Sequence, residues 1–413
     1  MEQYDVAVIG AGPAGSMAAK YAAMAGARTI ILEEHKSIGW PVECAGLLGT
    51  KAMQEAELST TRSVVRGLKG ATVYSPGAAS VSFKAASFKA WVVDRRLFDR
   101  SLALEAVRCG AELRLGSQVR KIRRFDNNKN YNNNHNTRII NDSTDNNSTG
   151  DNSTLVLGDG GRIEAKVVIS AEGVRARLAR KAGIGPVEQV LSGAQVEVPF
   201  KVNDHEKVEV HLGVPGLFAW VIPIGDDSAR IGLCTKEAAC NSLRSFLQRD
   251  VIRKRLLGSP VALVVGGLPL GPPKSTVADG ILAVGDAAGQ VKPTSGGGVY
   301  PGLVCAKIAG SVAADAALAG DCSAGRLREY DKRWREVLGR ELAIGMRLNR
   351  LLNRVSCKDL DEVLDYLAGK PGLIRTIEEQ GDIDRPSVLM ARMLPKLGLD
   401  GLKLARLLRY VLG

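Results

Sequence analysis

The chain has 413 residues, 45% of them hydrophobic, with 56 Lys and Arg against 44 Asp and Glu for a net charge of +12. This makes a globular protein of two or three domains with a sizeable core, whose basic balance suits an anionic partner such as a nucleic acid, an acidic substrate or a phospholipid surface. An aromatic content of 5%, with no stretch that interleaves aromatic and basic residues, argues against a nucleic-acid partner.

Seven cysteines, at positions 44, 109, 234, 240, 305, 322 and 357, form no CxxC pair and are odd in number. They fit neither a disulfide framework nor a zinc or iron–sulfur site, so no metal is expected and a reducing, cytoplasmic interior is. The first apolar run begins close behind Met1, leaving no room for a signal peptide, and no run is read as reaching the roughly 18 to 20 residues of a membrane span. Any membrane contact is therefore expected to be peripheral.

The chain opens with Val6 to Ile9, a continuous apolar run that reads as a strand buried on both faces, followed by Gly10, Gly12 and Gly15 and an Ala-rich helix over Ser16 to Ala25. A second strand, Thr29 to Leu32, ends on Glu33. Gly10 permits a tight turn, Gly12 lets backbone approach a pyrophosphate, and Gly15 lets the helix pack close to the sheet. The helix N-terminus offers free N–H groups to phosphates, and Glu33 can accept hydrogen bonds from an adenosine ribose. This is the pattern of a dinucleotide site.

Next comes a glycine- and proline-flanked segment around a single thiol, Cys44, whose plain reading is a buried small hydrophobe. Residues 64 to 95 alternate enough to predict strands of a second, antiparallel sheet inserted into the first domain. Asp94 opens a helix ended by Gly110; Arg95 in its first turn is either a pyrophosphate ligand or a solvated side chain. Residues 126 to 154 hold eleven asparagines and almost nothing apolar, which predicts a disordered insertion in a hairpin.

Val167 to Gly173 reads as a buried strand ending in an acidic-glycine turn, Glu172-Gly173. A second stretch of that kind, Gly280 to Gly289, contains Gly285-Asp286 and leads through Gly296, Gly297 and Gly298 into an Ala-rich helix stopped by Gly320. Three successive glycines before a helix again present N–H groups to an anion. Between these turns, alternation around Val208, Phe218, Trp220 and Ile231 predicts a second antiparallel wall, and the chain from Leu327 onward reads as helical with an Arg-rich, solvated face. The last run, from Asp400 to Leu412, places leucines on one side of a helix and Lys403, Arg406 and Arg409 on the other; it either docks on the core or lies on a membrane.

In this order the signals resemble the flavoproteins related to p-hydroxybenzoate hydroxylase, and within them the geranylgeranyl reductases. The likeness runs over nearly the whole chain apart from the Asn-rich insertion and is greatest to the archaeal digeranylgeranylglycerophospholipid reductases. It rests on Gly10 to Glu33, Asp94 to Asp99, Gly285 to Gly298, the segment Pro41-Val42-Glu43-Cys44, and Pro215 to Pro223. This last stretch matches the reductases' lipid-pocket motif with Phe218 in place of Tyr and Ile222 in place of Phe. The resemblance implies an α/β, p-hydroxybenzoate hydroxylase-like FAD-binding fold with an interleaved antiparallel substrate sheet and a helical C-terminal region. The FAD domain would take residues 1–63, 94–190 and 275–325, the substrate sheet 64–93 and 191–274, and the helical region 326–413. FAD would lie against Gly10, Gly12, Ala14, Gly15, Glu33, Cys44, Ala45, Arg95, Val119, Asp286, Gly297 and Gly298, and substrate against Phe218, Trp220 and Pro223.

The implied activity is FAD-dependent saturation of the isolated double bonds of geranylgeranyl chains on membrane phospholipids. Such bonds accept hydride poorly, so a strongly reducing flavin and a proton source are required, together with an aromatic face for developing positive charge. Cys44 is the candidate for the group beside the flavin, as proton source or positioning residue. The implied partners are a geranylgeranylated phospholipid, an anionic membrane surface at the inner face of the cell membrane, and a separate electron donor such as a ferredoxin. Two other readings use the same scaffold: an aromatic monooxygenase, and a membrane-docked flavin electron-transfer protein.

Overall fold

A computed structural model describes residues 1–60, 62–77, 79–124, 152–382 and 384. The Asn-rich insertion and the run from Asp400 to Leu412 thus lie outside the described residues, save the insertion's last residues 152–154.

Glu2–Ile9 sits in an eight-stranded sheet between Arg162–Ser170 and Thr29–Leu32, parallel to both. Its two faces feed two cores. Val6 and Val8, with Ile31, Val167 and Ile169, meet the helices Pro13–Met24, Arg95–Arg108 and Val299–Ala319. Ala7 and Ile9, with Ile30, Leu32 and Val168, meet Leu155, Leu178 and Ala179. A strand buried on both faces has no polar alternation to display, and for that reason its sequence is an unbroken apolar run.

Val299–Ala319 is long and apolar enough to cross a membrane, contrary to the expectation that no segment is. It is instead the packing partner of Pro13–Met24, where Ala18, Ala22, Ala309 and Ala313 are fully buried. Gly310 allows this close approach, because a Cβ there would run into the Ala18 carbonyl.

The substrate wall is a seven-stranded sheet in the order Ala262–Leu270, Gln189–Pro199, Ser228–Thr235, Gly216–Pro223, Lys207–His211, Gly70–Tyr74, Ser80–Lys84. It departs from the expected sheet in two ways. Lys207–His211 and Gly70–Tyr74 pair in parallel, because they come from separate insertions that enter the sheet from the same end. Val64–Leu68 and Ala90–Val93 leave it to form a small three-stranded sheet with Leu47–Gly49. The chain passes between the two sheets at Lys69, where Leu68 is buried with Val92 and Ile222. After these sheets come the helices Ala324–Trp334, Arg340–Leu352, Cys357–Ala368 and Pro371–Gln380.

Candidate functional site

The parallel strands Glu2–Ile9, Thr29–Leu32 and Arg162–Ser170 end together, which is where an open α/β sheet receives ligands. Gly10 has φ +100°, and a Cβ on it would come within 2.5 Å of the Ala171 carbonyl oxygen. Gly15 is equally closed, by the Gly10 carbonyl and the Ala171 side chain. Gly12 is different. A Cβ there meets nothing within 4 Å, so this glycine faces open space at the N-terminus of Pro13–Met24. The turn is therefore a cradle whose empty side has the shape that a pyrophosphate requires.

Glu33 is buried at the end of the second strand and fixes the turn from below. Its carboxylate accepts from the Ala11 amide at 2.8 Å and the His35 amide at 3.0 Å, with the His35 ring at 2.6 Å. Val119 is buried in the core under the same strand ends, and Ala14 lies beside Gly285, whose Cβ position is 2.8 Å from the Ala14 side chain. Glu172 is a structural residue. It takes the amides of Leu178 and Ala179 at 2.9 and 3.0 Å and so caps the helix Arg177–Lys181, a use of its longer side chain that its sequence context did not reveal.

Arg95 is not solvated. Asp99 grips it with two bonds of 2.8 and 2.9 Å, and although burial opposes its charge, Asp99 and Cys44 raise its pKa above the ordinary guanidinium range. Its remaining charge acts on Asp286, which is half-buried; burial pushes this carboxyl up to about 6 against the pull of Arg95. The thiol of Cys44 accepts from the Gly46 amide at 3.3 Å. Arg95, Cys44 and Asp286 thus share one electrostatic neighbourhood, although they are distant in sequence.

Two supports of this neighbourhood lay outside the sequence reading. Arg230 reaches from the large sheet to the Ala45 carbonyl at 2.9 Å and the Val93 carbonyl at 3.2 Å, clasping the segment that carries Cys44. On the other side, Gln290 accepts from the Gly285 amide at 2.8 Å and donates to Tyr330, whose hydroxyl donates to the Ala283 carbonyl at 3.0 Å. This buried chain of bonds sets the Gly285-Asp286 turn. Neither belongs to a local motif, so only the folded chain brings the partners together.

Gly298 lets Asp286 lie close, because a Cβ there would sit 2.8 Å from the Asp286 carboxylate and displace it. Gly297 leaves 3.0 Å between its Cβ position and the Lys292 ammonium, which is itself ion-paired with Asp384. These glycines and the Gly10 turn each stand before a helix N-terminus, with Asp286 beside the first set and Glu33 beneath the second. That donor set fits FAD.

Beside this donor set lies an apolar cavity of about 580 Å³, within the span of ligand pockets. Leu47 and Leu68, Val73 and Phe83, Val210 and Phe218 line it, the C-terminal helices close it with Leu352, Leu360 and Ile377, and it reaches Thr294 and Ser295 next to the glycine turn. Of the three expected substrate residues, Phe218 lines the cavity. Trp220 does not: its ring packs between the sheets and its indole nitrogen donates to Gln195 at 2.9 Å. Pro223 also lies away from the lining, at the far end of the same strand. Strand alternation accounts for Pro223, an odd number of residues from Phe218, whereas Phe218 and Trp220 are two apart and part company where the register shifts between Gly216 and Ala219.

A family model described as pyridine nucleotide-disulphide oxidoreductase matches residues 4–190. The chain is 33% identical over 377 residues to a digeranylgeranylglycerophospholipid reductase of Methanococcus aeolicus, covering 88% of this chain and 90% of that one. It is 34% identical over 379 residues to a protein of the same name from Methanothrix thermoacetophila, covering 87% and 90%. Among solved structures, a geranylgeranyl bacteriochlorophyll reductase-like protein of Thermoplasma acidophilum superposes with a TM-score of 0.78 at 24% identity, covering 98% of this chain and 100% of that one. A mutant of the halogenase PltM in complex with FAD gives 0.66 at 16% identity, covering 92% of this chain and 84% of that one. These two structural likenesses concern the fold.

Proposed function

The chain belongs to the digeranylgeranylglycerophospholipid reductase family, and from that premise we propose that it reduces the isolated double bonds of geranylgeranyl chains on archaeal-type phospholipids, with FAD as its cofactor. The fold is that of the p-hydroxybenzoate hydroxylase-like flavoproteins. The observation that carries the reading is the apolar cavity: it is the place where a long hydrocarbon chain can lie, and it ends at Thr294 and Ser295 beside the cofactor cradle.

Bound FAD supplies a hydride to one carbon of the double bond. The protein's own residues do the rest. The Gly10 to Gly15 turn and the first helix hold the phosphates, and Glu33 accepts from the ribose. Asp286 would accept hydroxyl donors of FAD at the other end, and the N–H groups of Gly297 and Gly298 would be available to stabilise negative charge on the reduced cofactor. The cavity is lined mainly by apolar side chains, so charge that develops on the alkene is met by that lining, where Phe218 and Phe83 are the aromatic residues. We assign Cys44 to the second carbon, as proton source or as the residue that orients it; the support is its place between Arg95 and the Arg230 clasp.

Electrons come from a separate low-potential carrier such as a ferredoxin, a reading supported by the convergence of all three glycine-bearing segments on a single cradle. The protein works at the inner, cytoplasmic face of the cell membrane as a peripheral protein. The support is chemical: its substrate is a membrane lipid and its surface is basic. Anaerobic turnover with dithionite and an unsaturated geranylgeranyl phospholipid tests the activity. Each reduced bond adds two hydrogens to the lipid mass. Unchanged mass with fully reduced flavin overturns the reading.

A further inference from the structure

One end of the seven-stranded sheet is left unused by this chemistry. Strand pairing identifies it: Ala262 lies opposite Glu197, Ser228 opposite Pro199, Ala229 opposite Pro223, and Gly70 opposite both Lys207 and Lys84. These residues form a row across the same end of the sheet. At one corner the cavity arrives there, through its lining residues Lys69, Gly70 and Lys89. At the other corner the chain from 249 to 263 projects.

Its exposed apolar residues flank the turn Gly258-Ser259-Pro260, where the Leu257 and Val261 amides bond the Pro199 and Glu197 carbonyls at 3.0 and 2.8 Å, and its basic residues lie in the segment before that turn. Val261 is 73% exposed, Leu263 62% and Leu257 57%. Beside them Arg249, Arg253 and Lys254 are exposed, and the acid among them, Asp250, is already met by Lys254 at 3.1 Å and Arg253 at 3.7 Å. Most other acids of this end are matched as well: Glu206 by Lys69 and Lys84, Asp226 by Arg66, Asp204 by Lys207 and Glu197 by Arg230, while Asp227 stands exposed against the further basic residues Lys89, Arg249 and Lys201. The surplus is positive. Water-exposed leucine and valine in one patch mark an interaction surface, and a second copy would bring the same Arg253 and Lys254 against each other about a two-fold axis.

We propose that this end of the sheet docks on an anionic lipid bilayer, with Leu257, Val261 and Leu263 entering the headgroup layer and Arg253 and Lys254 meeting lipid phosphates, so that the Lys69–Lys89 end of the cavity faces the leaflet. The proposal rests on the lipid-reductase reading and adds the surface through which substrate is drawn. It places the contact on described residues at the end of the sheet, in the segment leading into the strand Ala262–Leu270, rather than on the run from Asp400 to Leu412.

The test is sedimentation of the full-length, FAD-loaded protein with vesicles of phosphatidylglycerol and phosphatidylcholine, and with phosphatidylcholine alone. The wild type binds the anionic vesicles and is released at about 1 M salt, where the screening length is about 3 Å. Arg253→Gln with Lys254→Gln weakens partitioning about thirty-fold, and Leu257→Asp with Val261→Asp abolishes it. Both variants keep wild-type turnover of detergent-dispersed lipid, because none of these residues lines the cavity. Wild-type vesicle binding by both variants overturns the proposal. So does a wild type that ignores anionic vesicles, or one whose variants differ only by dissociating from dimer to monomer in light scattering. Failure of the wild type to reduce detergent-dispersed lipid instead overturns the substrate reading, since vesicle binding is scored without turnover.

Discussion

Replacing Arg230 by Met should loosen the Cys44 segment without unfolding the protein. The guanidinium gives hydrogen bonds of 2.9 and 3.2 Å to the carbonyls of Ala45 and Val93, and the segment is otherwise tied there by the Val93 amide on the Gly46 carbonyl at 2.8 Å. A hydrogen bond from a charged donor contributes about 1.5–3 kcal/mol net, and water reaches part of this site, so losing both bonds lowers the free energy of local opening by about 2 kcal/mol. That corresponds to roughly thirty-fold more frequent opening. The assay is the rate of Cys44 alkylation by iodoacetamide, resolved by peptide mass, beside exchange of the Val93 amide. Cys234 serves as an internal control, because burial pushes its thiol up to about 12. Arg230→Lys should recover part of the protection, as an ammonium can reach one carbonyl well but not both at this geometry. Alkylation and exchange within threefold of wild type in Arg230→Met would refute the clasp.

Gly12→Val should leave the apo fold intact yet abolish FAD retention, since a Cβ there meets no protein atom and the backbone has φ −68°; calorimetry and flavin absorbance of the same preparation decide it. For Asp286, burial raises the folded pKa from 3.8 to about 6, so the folded apo-protein holds a proton that the unfolded chain has lost. Apo-protein stability therefore falls as pH rises through that interval. Hydroxyl donors on FAD favour the ionised carboxylate, so FAD affinity should rise about tenfold between pH 5 and 7. Fluorescence titration should show this rise disappearing in Asp286→Asn, and an unchanged pH profile in the variant would remove Asp286 from the site.

The glycine turns were legible because their requirements are local. Gly10, Gly12 and Gly15 fall within one turn, Glu33 follows the next strand, and Asp286 precedes a glycine triplet, so spacing alone carries the geometry. The sheet assignment was less legible. Val64–Leu68 and Gly70–Tyr74 both alternate as half-buried strands do, and alternation says nothing about which sheet receives them. The change of sheet at Lys69 depends on Leu68 finding Val92 and Ile222, a contact between distant segments.

Polar supports were hidden for the same reason. Asp99 was visible only as part of a helix, yet it keeps Arg95 charged in a buried place; Tyr330 was one of many residues on a helix read from its arginines, yet it is fully buried and holds Gln290. A buried polar group must find a partner or lose its desolvation energy, and the partner can come from any part of the chain. The cavity illustrates this on a larger scale. Its walls come from both insertions and from the C-terminal helices, so Phe218 could be assigned to it from a motif while Leu352, Leu360 and Ile377 could not. Trp220, two residues further along the same motif, lies outside that lining. On the strand Gly216–Pro223 alternation alone would give Phe218 and Trp220 one facing, and it is the register shift between Gly216 and Ala219 that lets them differ.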